Sequence, residues 1–158
     1  TYLTRQQYVA VVDMCGSSRS LVDLSLNWAD LADVPPQTLG QAVVRLTKID
    51  LGTCLLTGDQ LIEVLDSSVK STTLKHVNIS YNSSLRQVPT EQLAKAVGNL
   101  ETVNLRYTNL TTEQCVAVLE KCKSSKLTDV NLSGADLRQV TPQLLQEATR
   151  NVQRMRLR

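Results

Sequence analysis

An α/β solenoid, with a parallel sheet along one side and helices along the other, is the fold class that this sequence predicts. Three observations carry the prediction. The spacing L-x-x-Φ-x-Φ, with Φ aliphatic, occurs five times and once more in looser form, the starts lying 25, 28, 26, 27 and 25 residues apart. Between copies the apolar spacing changes from period 2 to the i, i+3, i+4 of a helix. Alternate intervals match better than adjacent ones, so a longer period of 53 residues separates Leu21, Leu74 and Leu127.

The elements follow in order. The stretch "LTRQQYVAVVDMCGSSRSL" at 3–21 parallels "LTTEQCVAVLEKCKSSKL" at 110–127 with one residue inserted, so the chain opens on a helix. Thr followed three residues later by Gln is a capping box, which predicts helix N-caps at Thr4, Thr57 and Thr111. "LVDLSL" at 21–26 is the first strand, because its apolar positions alternate. "LADVPPQTL" at 31–39 begins a helix by another route, since proline in the first turn loses no hydrogen bond. Strands follow at 46–51 and 74–79, with a helix around "QLIEVL" at 60–65 between them. "LRQVPTEQL" at 85–93 leads into "QLAKAV" at 92–97, then a strand at 100–105 and a helix through "QCVAVLEKC" at 114–122. The strand at 127–132, "LRQVTPQLL" at 137–145 and a last strand at 152–157 complete the series. One strand and one helix cannot bury their own apolar faces, so the units must stack.

Residues 1–158 are therefore read as a single domain of about five full repeats with partial terminal ones. Neither end carries a polar capping repeat, which leads to the expectation of a piece of a longer array, with self-association through the uncapped ends. The alternative is that Thr1–Met14 serves as a rough cap.

The spacing resembles the leucine-rich repeat proteins, in particular the ribonuclease-inhibitor-like subclass, over nearly the whole chain. The ninth motif position, commonly Asn or Cys in that family, reads Ala29, Cys54, Asn82, Thr108 and Ala135. The resemblance implies a horseshoe segment with strands on the concave face and helices on the convex face. It also implies binding of another macromolecule, as in ribonuclease inhibitor, the sensing ends of NOD-like receptors, and tropomodulin.

Composition narrows the function. Hydrophobic residues make up 42% but aromatics only 3%, so the core must be aliphatic. A net charge of +2 is too small to predict nucleic-acid binding. No apolar run approaches the ~20 residues of a membrane span. There is one His, no C-x-x-C and no phosphate-binding glycine loop, so no catalytic, cofactor or metal site is expected. The cysteine usage reads as reduced and cytoplasmic. Sequons at Asn78, Asn82, Asn109 and Asn131 are read as incidental, because the repeat itself generates N-Φ-S, and the alternative they offer is an extracellular or immune-type receptor fragment.

Counting the first Leu of each motif as position one, positions three, five and seven are expected to face outward, with position eight at the rim of the strand. Position five contains the row Asn78, Asn104 and Asn131. Position eight reads Trp28, Thr53, Tyr81, Tyr107 and Gly134, which gathers three of the five aromatic residues of the chain. Rings here either anchor a partner or lie flat over the adjacent turn, and both readings stay open. Asp23 and Asp50 lie toward one end of the face, while Arg106, Arg154, Arg156 and Arg158 lie toward the other. The expectation is a non-enzymatic scaffold binding a protein through Trp28, Tyr81, Arg106 and Tyr107, with Asn78 and Asn104 supplying hydrogen bonds. The alternative is a GTPase-activating regulator of similar architecture, using Arg106.

Overall fold

The computed structural model of the protein describes residues 2–158. Six three-residue strands form one parallel sheet: β1 (Asp23–Ser25), β2 (Lys48–Asp50), β3 (His76–Asn78), β4 (Thr102–Asn104), β5 (Asp129–Asn131) and β6 (Arg154–Arg156). Their spatial order is their sequence order, and equivalent motif positions pair throughout, as in Ile49↔Val77↔Val103↔Val130. Each strand occupies positions three to five of its motif. The regular part is shorter than the six residues expected, because the chain turns immediately after position five.

A helix precedes each strand: α1 (Arg5–Ser17), α2 (Pro36–Val43), α3 (Gly58–Lys70), α4 (Thr90–Gly98), α5 (Thr112–Cys122) and α6 (Pro142–Asn151). A short 3-10 helix, Ser83–Gln87, absorbs the extra residue of the third unit. Successive helices pack side by side, and one aliphatic core runs between them and the sheet. Motif positions four and six of the inner units (Ile49, Leu51, Val77, Ile79, Val103, Leu105) are all buried there.

The two helix starts differ as their chemistry requires. Thr4, Thr57 and Thr111 are N-caps with complete capping boxes. In α2 and α4 the N-cap is itself a proline, Pro35 or Pro89, with no side-chain cap bond. Proline was expected inside the first turn, and only Pro36 and Pro142 meet that expectation. Pro35 stays extended because the proline that follows disfavours the helical region for it.

The first-turn glutamines do more than cap. Gln60 takes the Thr57 N–H on its Oε1 and donates through Nε2 to the Leu31 and Val34 carbonyls, both at 2.9 Å. Gln114 repeats the arrangement with Leu85 and Val88. Each buried amide thus ties a unit of one type to the preceding unit of the other.

Candidate protein-binding surface

The outward sheet face is polar and largely satisfied by its own side chains. At position five, Asp50, Asn78, Asn104 and Asn131 each accept the backbone N–H of position seven, at 2.9–3.1 Å. These side chains turn the chain at the strand end, an ordinary role for Asx residues. Asn78 also donates to Asp50 at 2.9 Å, so most of its capacity is used within the protein. Asn104 keeps its amide N–H groups without a partner among the described residues. The oxygens of the row are thus used within the protein, the amides of Asn104 and Asn131 donate to none of the described residues, and of these two only Asn104 is not buried.

Position seven meets the outward expectation only in part, at Asn27, Arg106 and the last residue, Arg158. Gly52, Ser80 and Ser133 are buried, whereas Asn27 and Arg106 are exposed. The turn draws this position back between its neighbours, and a Cβ at Gly52 would lie 3.1 Å from both Asn27 Oδ1 and Ser80 Oγ. Only a small side chain fits there, and a long one such as Arg106 must run out to solvent.

Position eight holds the most unusual backbone. Trp28 (φ 67°), Thr53 (57°), Tyr81 (59°), Tyr107 (50°) and Gly134 (83°) are all left-handed. Their N–H groups donate to the position-seven carbonyls of the following units, Trp28 to Gly52, Thr53 to Ser80, Tyr81 to Arg106 and Tyr107 to Ser133, at 2.8–3.0 Å. This conformation aims each side chain along the rim, toward the next unit. The ring centroids of Tyr81 and Tyr107 lie 5.2 Å apart, and Tyr107 covers the place that a Cβ on Gly134 would need. Arg106 lies against both rings, its guanidinium carbon 5.6 Å from one centroid and 5.1 Å from the other. It makes no ion pair among the described residues. Tyr81 and Tyr107 nevertheless remain 42% and 47% exposed, so each ring packs on one side and meets solvent on the other.

Trp28 stands apart from this cluster, two units away. It is 64% exposed and shares an open cleft of about 510 Å³ with Arg5, Asp30, Thr53 and Leu55. Leu55 is 82% exposed and also left-handed, at φ 52°. Its place in the repeat holds Asp30, Asn109 and Asp136 in three other units, so a leucine there departs from the pattern, and that departure was legible in the sequence. Arg5 Nε donates to Asp30 at 2.7 Å, and the bond holds the Asp30 carboxyl below its ordinary range.

Several other charged and reactive groups on or near this face are engaged or inert. Asp129 meets Arg154 at 3.4 Å and Arg156 at 3.9 Å, which offsets the basic end of the face. His76 Nδ1 lies 2.9 Å from Thr102 Oγ1, across the β3–β4 pair. Burial pushes the thiols of Cys54, Cys115 and Cys122 up to about 11, so each is protonated at neutral pH. Cys54 donates to the Leu26 carbonyl at 3.0 Å, and Asn82 bonds the Leu51 and Ile79 carbonyls and the Leu56 N–H, as the ninth position predicts. Thr108 reaches only its own unit, at the Leu105 carbonyl. Of the four sequon asparagines, Asn82 and Asn131 are buried, Asn78 is half-buried, and only Asn109 is exposed. No described helix is long and apolar enough to cross a membrane. No protein-family model matches the chain, and no curated protein matches its sequence.

Proposed function

We propose that this chain is a leucine-rich-repeat-type scaffold without catalytic activity, which binds a protein partner across its polar sheet face and the aromatic rim beside it. The repeat reading is supported by six parallel strands in unbroken order, each preceded by a helix that begins by one of two alternating routes. The binding reading rests on one observation above the others. Arg106, unpaired by any carboxylate among the described residues, is held against two half-exposed tyrosine rings. Tyrosine and arginine are the types that most often dominate binding energy, and an arginine already ordered by stacking loses less entropy on docking. Side-on contact with two rings favours docking over the free projection that a GTPase-activating arginine needs.

Panning a displayed random-peptide library against the protein, with a counter-screen on the Tyr81→Ala/Tyr107→Ala variant, tests this. Enriched peptides should bind the wild type at least about tenfold more tightly, a difference of about 1.4 kcal/mol. Melting temperatures of the two proteins should lie within a few degrees. Enriched peptides that bind both proteins equally, or no enriched peptide at all, would remove the rim from the site.

A further inference from the structure

Resting on the scaffold reading, we infer that the rim recognises an extended polypeptide segment at two points, a bulky apolar side chain at Trp28 and Leu55 and an acidic side chain at Arg106. Leu55 and Trp28 are the first ground. Each is an exposed, large apolar residue held in the left-handed region, where glycine or asparagine fits with less strain. Burial within this chain does not account for either side chain. The turn of the repeat sets this backbone, as Thr53, Asn109 and Gly134 share it, but it does not call for a large apolar side chain left in solvent there.

The chemistry of the cleft selects its occupant. Its charged members, Arg5 and Asp30, neutralise each other in a 2.7 Å ion pair, and Arg5 lies 3.7 Å from Asp33 as well. What they leave available is the indole face and the leucine methyls. An uncharged, apolar side chain gains there by leaving water, whereas a charged one meets groups already neutralised by each other.

Arg106 supplies the second point. Its guanidinium carbon lies 5.6 Å and 5.1 Å from the Tyr81 and Tyr107 centroids, and its side-chain N–H groups bond nothing among the described residues, which leaves them for a carboxylate. The position-eight hydrogen-bond row carries both points in one frame, Trp28 to the second unit, Thr53 to the third and Tyr81 to the fourth, where Arg106 sits. Three strand intervals of ~4.8 Å place them ~14 Å apart. An extended peptide covers that distance in about four residues. The ligand class is therefore an extended segment with a large aliphatic or aromatic residue about four positions from an Asp or Glu.

Repeating the library selection with the wild type, Leu55→Asn and Arg106→Glu tests the inference. Asparagine tolerates the left-handed backbone, so Leu55→Asn keeps the fold, and thermal unfolding of each variant checks that it does. Wild-type peptides should carry the apolar–acidic pair at that spacing and bind Leu55→Asn at least about tenfold more weakly. Selection on Arg106→Glu should replace the acidic residue with Lys or Arg. Peptides that depend on Tyr81 and Tyr107, lack the pair and bind Leu55→Asn unchanged would overturn the two-point reading and leave the scaffold standing. A selection that enriches no peptide on the wild type would overturn both.

Discussion

Trp28, Tyr81 and Tyr107 hold φ between 50° and 67°, where glycine is the residue that fits without strain, and the equivalent residue of the fifth unit is Gly134. This gives a way to separate local packing from a role in binding. Trp28 has most of its ring in solvent, so removing it exposes little that was covered. Trp28→Gly should leave stability unchanged or raise it by about 1 kcal/mol, as the strain is relieved. Denaturant unfolding monitored by circular dichroism measures the change, and a loss beyond about 1 kcal/mol would make the ring structural. Alanine is a poorer probe here, because it keeps the Cβ and hence the strain. The aromatic column was legible in the sequence as a spacing coincidence. Its left-handed backbone was not, because nothing local in "NW", "SY" or "RY" demands φ above zero. The demand comes from the turn that every unit must make after position five.

At the scale of the element, the capping boxes were readable from Thr-x-x-Gln alone, and all three formed. What the spacing could not reveal is why the third residue is always Gln. A glutamate caps the same backbone N–H equally well. Only the stacked units show that Gln60 and Gln114 must also donate to two carbonyls of the unit before. Gln60→Glu keeps the acceptor but sets a buried carboxylate against the Leu31 and Val34 carbonyls. It should cost about 2–3 kcal/mol, from two lost bonds and an uncompensated charge. Gln7→Glu is the internal control: Gln7 is exposed and its side chain makes only the capping contact, so the change should fall within about 0.5 kcal/mol. Equal losses at the two positions, measured by urea unfolding, would show that the cap alone explains the glutamine. The mixed burial at position seven has a related origin. Alternation alone predicts an open position seven, whereas the Asx turn sets this residue between its neighbours, so that small ones are covered and Arg106 is not.

For the whole molecule, stability and association follow from how units cover one another. Val11 in α1 is 37% exposed, whereas Val64 and Val118 at the same repeat position are fully buried, each covered by a preceding unit. At the other end Met155 and Leu157 are half-buried, although their counterparts Ile49 and Leu51 are fully buried. The two end surfaces are complementary in three respects. The unit types alternate, so the proline-type α6 would be followed in phase by a helix of the α1 type. Internal strand pairs set Asp23 against Lys48 and Asp129 against Arg154, and β6 meeting β1 of a second copy in that register would set Arg154 against Asp23. Gln7 would then face the carbonyls of Leu137 and Val140, as Gln60 faces those of Leu31 and Val34. A contact between unlike ends is head-to-tail, so it produces chains or rings of several copies rather than a two-fold dimer. The sedimentation coefficient of the 158-residue protein should accordingly rise with concentration without a plateau at two copies. Arg154→Asp and Asp23→Arg should each suppress the rise, because each sets like charges opposite one another across the junction. The double variant, with both charges exchanged, should restore it. A wild type that stays monomeric at every concentration, or a double variant no better than either single one, would show that the ends do not join in this register.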